Sequence, residues 1–254
     1  MRVRGAGDFD YETGGASYGA HRRADPRIAA LVHEALGDAR TVLNVGAGAG
    51  SYEPLDRRVV AVEPSRMMRS QRPRHLPRAI DAVAEALPFG DDAFEAAMAT
   101  VTVHQWSDAA AGLRELRRVA GGPVVILTFD GTALDRFWLA EYAPELIAAE
   151  RGRYQPLEWL AEQLGGACIV TPVAIPIDCT DGFTEAFYAR PERFLIDDVR
   201  RAQSAWGFVD PAVEARAVAE LRRDLDSGEW RRRHGSLLHQ PTFAGSLRLV
   251  VAQP

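Results

Sequence analysis

The stretch that decides the fold is VLNVGAGAG, residues 42–50. Its first half is apolar, as in a buried strand, and glycines then occupy positions 46, 48 and 50. Glycines let the backbone turn sharply and approach a ligand closely, and a helix after such a turn offers unpaired N–H groups. A second apolar stretch, Arg58 to Val62, ends at Glu63. The two stretches predict neighbouring parallel strands whose carboxyl ends form a ligand site.

Strands and helices alternate along the chain up to about position 130, which predicts parallel β-α-β units. The predicted strands in this part are Thr41 to Val45, Arg58 to Val62, a weak one near Ala79 to Ala84, Phe94 to Thr100, and Pro123 to Phe129. The predicted helices there are Pro26 to Leu36 and Ala109 to Val119. Beyond it we predict helices over Pro156 to Leu164, Phe183 to Tyr188, Pro191 to Trp206 and Pro211 to Asp226, and strands over Ala167 to Ile177 and Ala244 to Ala252.

Composition excludes several classes of protein. With 254 residues, 47% hydrophobic and 26% charged, the chain is ordinarily globular, and no apolar run approaches the roughly 20 residues that span a bilayer. The N-terminus lacks the apolar region of a secretory signal, so we expect a cytoplasmic protein without membrane insertion. Cys168 and Cys179 match neither a disulfide framework nor a zinc motif, and we predict no metal site.

The net charge and the basic residue types exclude further partners and reactions. A net charge of -5 opposes the basic footprint of a nucleic-acid-binding protein, so we expect no nucleic-acid partner. The sequence contains no lysine. A lysine Schiff base and a P-loop lysine are therefore impossible, which excludes pyridoxal-phosphate enzymes and Walker-type nucleotide hydrolases.

The glycine spacing is informative but weak by itself. A dinucleotide fingerprint reads G-x-G-x-x-G, whereas this chain has G-x-G-x-G at Gly46, Gly48 and Gly50. A glycine-rich turn without a ligand is the alternative. Glu63 strengthens the ligand interpretation over a plain surface glutamate, because an acid at the end of the second strand is placed to accept both ribose hydroxyls of a nucleoside.

Four segments together resemble a known family. VLNVGAGAGSYEP, VVAVEPSRMMRSQ, AVAEALPFGDDAFEAAMATVTVHQW and LRELRRVAGGPVVILTFD follow one another in the order and spacing of class I S-adenosylmethionine-dependent methyltransferases of the type 11 group. The resemblance covers about residues 10 to 130. It implies S-adenosylmethionine as cofactor. We therefore expect a Rossmann-like, seven-stranded, mainly parallel sheet with a reversed last strand, and the helical stretches between the last two predicted strands predict a helical lid insertion.

The resemblance also implies a set of cofactor-binding residues. The glycine turn would wrap the methionine portion and ribose, and Glu63 would bind the ribose. Pro64, Ser65 and Met68 would flank the adenine, and Ala84 and Glu85 would lie beside its edge. Tyr18 and Arg22 resemble a motif that closes over the methionine end in some relatives. The complete expected set is Tyr18, Arg22, Asn44, Gly46, Ala47, Gly48, Gly50, Glu63, Pro64, Ser65, Met68, Ala84, Glu85 and Thr100.

Two positions depart from the family pattern. Relatives usually carry an acid where Asn44 stands, and that acid helps to hold the amino group of the cofactor, whereas asparagine offers a hydrogen bond without charge attraction. Val83 replaces an acid that many relatives use toward the adenine, so that contact would pass to Glu85 or to backbone. Both changes leave room for altered affinity, or for a protein that binds the cofactor without methylating.

The reaction asks little of side chains, since a sulfonium methyl group is already activated and needs mainly an aligned nucleophile and a dry site. His104, just past the fourth strand, is the candidate catalytic base, and packing against the cofactor is its equal alternative. His21, His234 and His239 are weaker candidates. Aromatic residues could line an acceptor pocket or simply form the core: Trp106, Phe137, Trp138, Tyr142, Phe187, Tyr188 and Trp206.

The expected organisation has four parts: a cap segment and helix at 1–40, the cofactor-binding core at 41–178, the lid at 179–240 and the last core strand at 241–254. We predict an enzyme that methylates an oxygen, nitrogen or carbon nucleophile of a small molecule, plausibly in specialised metabolism. Two alternatives remain open: a member that uses the pocket for another reaction, and a non-catalytic regulatory protein that binds S-adenosylmethionine. The sequence does not predict the oligomeric state.

Overall fold

The computed structural model describes residues 22–254, and the structural statements below concern that part of the chain. Its strands are β1 (Thr41–Val45), β2 (Arg58–Val62), β3 (Ala96–Thr100), β4 (Val124–Phe129), β5 (Ala167–Pro172), β6 (Ile175–Pro176), β7 (Thr242–Phe243) and β8 (Leu247–Gln253). Its helices are α1 (Pro26–Ala35), α2 (Arg66–Ser70), α3 (Ala109–Val119), α4 (Pro144–Arg153), α5 (Leu157–Leu164), α6 (Asp197–Arg201), α7 (Pro211–Asp226) and α8 (Glu229–His234).

Six strands form the central sheet, in the order β2-β1-β3-β4-β8-β5. The pairs β2–β1, β1–β3 and β3–β4 are parallel, and β8 is antiparallel to both of its neighbours. The reversed last strand predicted from the sequence is therefore confirmed. Because parallel strands begin and end at matching edges, β1, β2 and β3 bring their carboxyl ends together.

The predicted count of seven strands is wrong for the described residues. The expected strand near Ala79 to Ala84 is reduced to one bridge between Ile80 and Val62. The amide of Ile80 donates to Ala61 O at 2.8 Å, and its carbonyl accepts from the Glu63 amide at 3.0 Å. The chain then leaves the sheet and carries Val83 and the residues after it to the carboxyl edge.

The two faces of the sheet pack against different helices, because successive strand residues point to opposite sides. Val42 and Val125 lie in a cluster with α1 and with the chain after β4. Leu43 and Ile126 lie in a second cluster with α3 and α5. Strands buried on both faces explain why β1 and β4 read as continuous apolar runs.

The segment between β6 and β7 is helical, as predicted, but more broken. Instead of one helix over Pro191 to Trp206, it has a 3-10 turn at Pro191–Leu195, then α6, then a second 3-10 turn at Ser204–Phe208. The predicted strand over Ala167 to Ile177 also divides, because β6 leaves the main sheet to pair with β7. Pro172 and Pro176 lack the N–H that a continuous ladder would need.

Trp138 ties this helical segment to the chain after β4. Its indole N–H donates to Tyr188 O at 2.9 Å. Its ring meets Phe194 and Trp230 edge-on, with centroids 5.6 Å and 5.5 Å apart. Both rings belong to the same hydrophobic cluster as α1. The segment is thus built into the core of the domain.

Within residues 22–254, no helix is both long enough and apolar enough to cross a membrane.

Candidate active site

The glycine turn, residues 46–50, follows β1 directly. Gly46, Gly48 and Gly50 have φ angles of +68°, +52° and +96°, a region that residues with a β-carbon rarely adopt. A β-carbon on Gly46 would lie 2.1 Å from Thr102 Oγ1, whereas one on Gly48 would meet only Met68 Cε, at 3.3 Å. Backbone conformation requires glycine at all three positions, and available space also requires it at Gly46.

Glu63 follows β2 and faces the glycine turn. Its side chain accepts the Gly48 N–H at Oε2 and the Ser65 N–H at Oε1, each at 2.8 Å. The residue is 6% exposed, and this burial raises the pKa of its carboxyl, while the two backbone hydrogen bonds act in the opposite direction. An ionised carboxylate has about four acceptor positions, so Glu63 is held firmly and can still accept two hydroxyl groups.

A cleft of about 490 Å³ opens between the glycine turn, Glu63 and the segment after β3. Glu85 stands at its rim, where Oε1 accepts from Ser107 Oγ at 2.8 Å and from the Asp108 N–H at 3.0 Å. The volume of the cleft is sufficient for a ligand as large as a nucleoside with a tail.

A buried ion pair supports the glycine turn from behind. Arg72 Nη2 donates to both oxygens of Glu53, at 2.9 Å and 2.8 Å, and Arg72 Nη1 lies 3.4 Å from Gly48 O. Asn44, which is fully buried, donates from Nδ2 to Glu53 Oε1 at 3.0 Å. A carboxylate therefore does lie next to position 44, although it comes from Glu53. Because its two oxygens are bonded to Arg72, this charge is already balanced.

A second, much smaller space of about 30 Å³ adjoins the cleft and is called the inner cavity here. Val101 and Gln105 line both spaces. Val101 has φ of +53°, a strained value for a β-branched residue, which turns the chain between the two spaces. The inner cavity is lined by Arg22, Val101, His104, Gln105, Phe129, Leu134, Glu150, Tyr154, Phe183, Thr184, Glu185, Gln203 and Ser204.

His104 lines the inner cavity and not the cleft. Its ring packs against Tyr154, with centroids 4.8 Å apart, and its Nε2 lies 3.3 Å from Gln105 Nε2. Burial lowers the pKa of the imidazole well below its usual value, and the charges of Arg153 and Arg22 lower it further. His104 is therefore neutral near pH 7. Its Nδ1 is buried without a hydrogen-bond partner among the described residues.

Comparisons with known proteins agree with this geometry. A methyltransferase-domain family model matches residues 43–126. A putative methyltransferase from an antibiotic biosynthesis pathway of Anabaena variabilis is similar over 91% of this chain and 98% of its own, with 28% identity and a TM-score of 0.84. A possible histamine N-methyltransferase of Thermotoga maritima shares the fold at 22% identity, with a TM-score of 0.51 over 63% of this chain and 82% of its own.

Residues 43–126 are a methyltransferase domain, and the chain as a whole resembles the class I S-adenosylmethionine-dependent methyltransferases. The predicted family, enzyme class and cofactor are thereby confirmed. The uncharacterized protein YafE of Escherichia coli strain K12 is 31% identical to this methyltransferase over 81 residues. That match spans 30% of the methyltransferase and 39% of YafE.

Most residues predicted to bind the cofactor line the cleft of the methyltransferase: Gly46, Ala47, Gly48, Glu63, Pro64, Met68, Ala84, Glu85 and Thr100. Asn44, Gly50 and Ser65 lie behind this lining, where they position the turn and Glu63. Arg22 lies in the wall of the inner cavity, paired with Asp181 through a 2.7 Å contact. Tyr18 and His21 lie outside the described residues.

Sequence reasoning missed part of the cleft of the methyltransferase. Trp106, named only as a possible acceptor-pocket residue, lies in the cleft wall. A β-carbon on Gly112 would come within 2.4 Å of its ring. That glycine inside a helical pattern was the available signal for a close contact. The other lining residues are Ala49, Ser51, Val83, Val101, Thr102, Gln105, Ser107, Asp108 and Ala111.

His234 and His239 are not brought to either space, and among residues 22–254 no group of three His, Cys, Asp or Glu side chains is arranged to hold a metal ion.

Proposed function

We propose that this methyltransferase transfers the methyl group of S-adenosylmethionine to an oxygen, nitrogen or carbon nucleophile of a small organic molecule. The cleft carries the proposal, because Glu63 is held by two backbone N–H groups at its floor and keeps acceptor positions for a ribose. The Anabaena protein, which is similar along nearly its whole length, is described as part of an antibiotic biosynthesis pathway. That description supports a small acceptor of specialised metabolism.

The residues present fit the cofactor. Glycines with positive φ leave the turn open on the cleft side of Gly48, where only the flexible end of Met68 approaches. We assign the ribose hydroxyls to Glu63, the methionine portion to the glycine turn, and the adenine edge to Ala84 and Glu85. When bound, the cofactor supplies a methyl group activated by its sulfonium charge.

The protein then has three tasks: to align the acceptor, to exclude water, and to remove a proton if the acceptor carries one when it attacks. The inner cavity, which meets the cleft at Val101 and Gln105, is placed for the acceptor. His104 would contact the acceptor there. Its depressed pKa makes it a weak base, so a binding role suits it better than proton removal.

The helical segment 179–240 contributes Phe183, Thr184, Glu185, Gln203 and Ser204 to the wall of the inner cavity. We propose that this segment selects the acceptor. A nucleic-acid acceptor does not suit the net charge of -5.

The deciding experiment is calorimetric titration with S-adenosylhomocysteine, followed by incubation with S-adenosylmethionine and a panel of small nucleophiles. We expect micromolar binding, as is typical of enzyme ligands, and methylated product from at least one acceptor. Binding without any product would favour the non-methylating alternatives. Tighter binding of NADH than of S-adenosylhomocysteine would contradict the proposed cofactor site.

A further inference from the structure

We propose that the inner cavity binds a carboxylate group, and that the acceptors of this methyltransferase are small carboxylic acids. The inference rests on the proposed function, since it gives the chemical class of the acceptor for the same site. It starts from two buried N–H donors, on residues that line this cavity, which have no partner in the described part of the chain.

The first donor is the side-chain amide of Gln203. The residue is 4% exposed and lines the cavity. Its Oε1 accepts from Thr184 Oγ1 at 3.1 Å, which fixes the orientation of the amide. Among residues 22–254, its Nε2 has no hydrogen-bond partner. A buried donor without a partner is costly, so a ligand that accepts a hydrogen bond here would regain that free energy.

The second donor is the ring of His104. Since Nε2 lies 3.3 Å from the donor atom of the Gln105 amide, Nε2 accepts that hydrogen bond. The neutral ring then carries its proton on Nδ1, which is buried and has no partner in the part of the chain that the structure describes. Two residues on different segments thus bring N–H groups without described partners to the wall of one small space, an arrangement that suits an oxygen acceptor.

The charged side chains around the cavity largely pair with one another. Arg153 and Arg22 act on the His104 ring, but Arg22 lies 2.7 Å from Asp181 and Arg153 lies 3.7 Å from Glu150. The wall carboxylates also have donors: Glu150 accepts from the hydroxyl of Tyr154, and Glu185 accepts from the N–H and hydroxyl of Ser246. The N–H donors of Gln203 and His104 are therefore the groups that favour a carboxylate, because a hydrogen bond to a charged acceptor is stronger than one to a neutral acceptor.

The cavity size sets the dimensions of the group. A space needs about 10–15 Å³ on this scale to hold one water molecule, so about 30 Å³ admits the two oxygens of a carboxylate and excludes a ring. The rest of the acceptor would extend past Val101 and Gln105 toward the cleft. An amine would bring further N–H groups to a site that already has an excess of donors.

The probes are phenylacetate and its neutral isostere phenylacetamide, with acetate and acetamide as a smaller pair. Each is titrated by NMR or calorimetry into the full chain saturated with S-adenosylhomocysteine. We expect each acid to bind at least about tenfold more tightly than its amide, since hydrogen bonds to charged groups are roughly twice as strong as neutral ones.

Two substitutions test the donor. Gln203→Glu keeps the oxygen that accepts from Thr184 but replaces the N–H with a negative charge, and Gln203→Met removes both polar atoms. Each should weaken phenylacetate binding about tenfold to a hundredfold while affinity for S-adenosylhomocysteine stays unchanged. Gln163→Met, on α5 and away from both spaces, is the matched control and should change neither affinity. Circular dichroism and the thermal midpoint verify that each variant is folded.

The outcomes separate this inference from the proposed function. Absence of S-adenosylhomocysteine binding would overturn the proposed function. If S-adenosylhomocysteine binds but the acids bind no better than their amides, or Gln203→Glu retains full affinity for the acids, the inner cavity is not a carboxylate site.

Discussion

The cleft and the inner cavity are built by opposite means. The cleft is lined by residues between positions 46 and 111, and much of its shape comes from backbone: three glycines with positive φ and two amides that hold Glu63. The inner cavity draws its wall from residues 22 to 204, and its polar atoms belong to side chains. The first is thus a local motif on the sheet edge, whereas the second depends on how distant segments pack.

This contrast predicts different responses to mutation. Changes in the cleft should act through backbone strain and cofactor affinity. Substitutions in the inner cavity should not change the affinity for the cofactor. They should change acceptor binding or the pH dependence of stability.

The largest effect is expected at the glycine turn. In Gly46→Ala the new β-carbon would press on Thr102 in a left-handed backbone, which should lower the free energy of unfolding by about 2–5 kcal/mol. Gly48→Ala meets only the flexible end of Met68 and should cost about 1–2 kcal/mol. Urea unfolding of both variants gives the comparison. Equal stability losses would contradict the role assigned to Thr102.

The turn also gives a binding contrast, because Gly48 faces the cleft. Gly48→Val should remove most of the affinity for S-adenosylhomocysteine, since a branched side chain would occupy the methionine path. Unchanged binding in a folded Gly48→Val protein would argue against the cofactor site itself.

The next effect concerns pH and the wall of the inner cavity. Burial raises the pKa of Glu185 to about 7, from an ordinary 4.5. The folded state therefore favours the protonated form, so stability from this group is fully present below pH 4.5 and is lost as pH rises through 7. The loss amounts to about 3 kcal/mol at most.

Glu185→Gln tests this dependence. Its amide oxygen can still accept from Ser246, but it does not titrate, so the difference in unfolding free energy between wild type and variant should change across pH 5–8. The variant should become the more stable protein at pH 8. Glu158→Gln, an exposed change on α5, should give a curve parallel to wild type. Parallel curves for Glu185→Gln would show that Glu185 ionises normally.

A somewhat smaller effect is expected at the acid of the cleft. Glu63→Ala leaves the ribose hydroxyls and two backbone amides without their acceptor, which should weaken S-adenosylhomocysteine binding by about 1.5–3 kcal/mol. Calorimetry measures this loss. Glu158→Ala is the control and should bind like wild type. Full affinity in a folded Glu63→Ala protein would show that Glu63 does not bind the ribose.

The smallest effect on cofactor affinity is expected at His104, because its ring faces the inner cavity. His104→Ala should leave binding of S-adenosylhomocysteine within about twofold of wild type and should raise the KM for the acceptor. A general base would instead show a loss of about 100-fold or more in kcat at saturating acceptor. Weakened cofactor binding in His104→Ala would instead indicate that His104 contacts the cofactor.

The sequence predicted several elements well, most of them in the first half of the chain. β1 and β2 begin and end where the apolar runs do, and α3 and α7 match their predicted bounds. The prediction of a strand near Ala79 to Ala84 was wrong, because only Ile80 makes ladder hydrogen bonds before the chain turns to the cleft. The apolar pattern of a sequence does not predict where a chain leaves a sheet, since that position depends on the residues at the sheet edge.

Little in the sequence indicated the inner cavity. His104 was found because a histidine after a sheet strand is conspicuous, but its neutral state depends on burial and on the charges of Arg153 and Arg22. Gln203 carried no signal, since an isolated glutamine in a helical stretch is ordinary. The role proposed for it comes from an amide N–H that packing leaves without a partner among residues 22–254.

Asn44 shows the same division within one contact. The sequence shows asparagine at the position where the family usually has an acid. In the folded chain, Glu53 places a carboxylate next to Asn44, and this carboxylate is paired with Arg72 beneath the turn. The sequence by itself determined β1, β2, the glycine turn and the position of Glu63 directly after β2, because these follow from local backbone preference and apolar pattern. Only the tertiary structure decided the inner cavity, because the charge, burial and hydrogen-bond groups there arise from segments far apart in the chain.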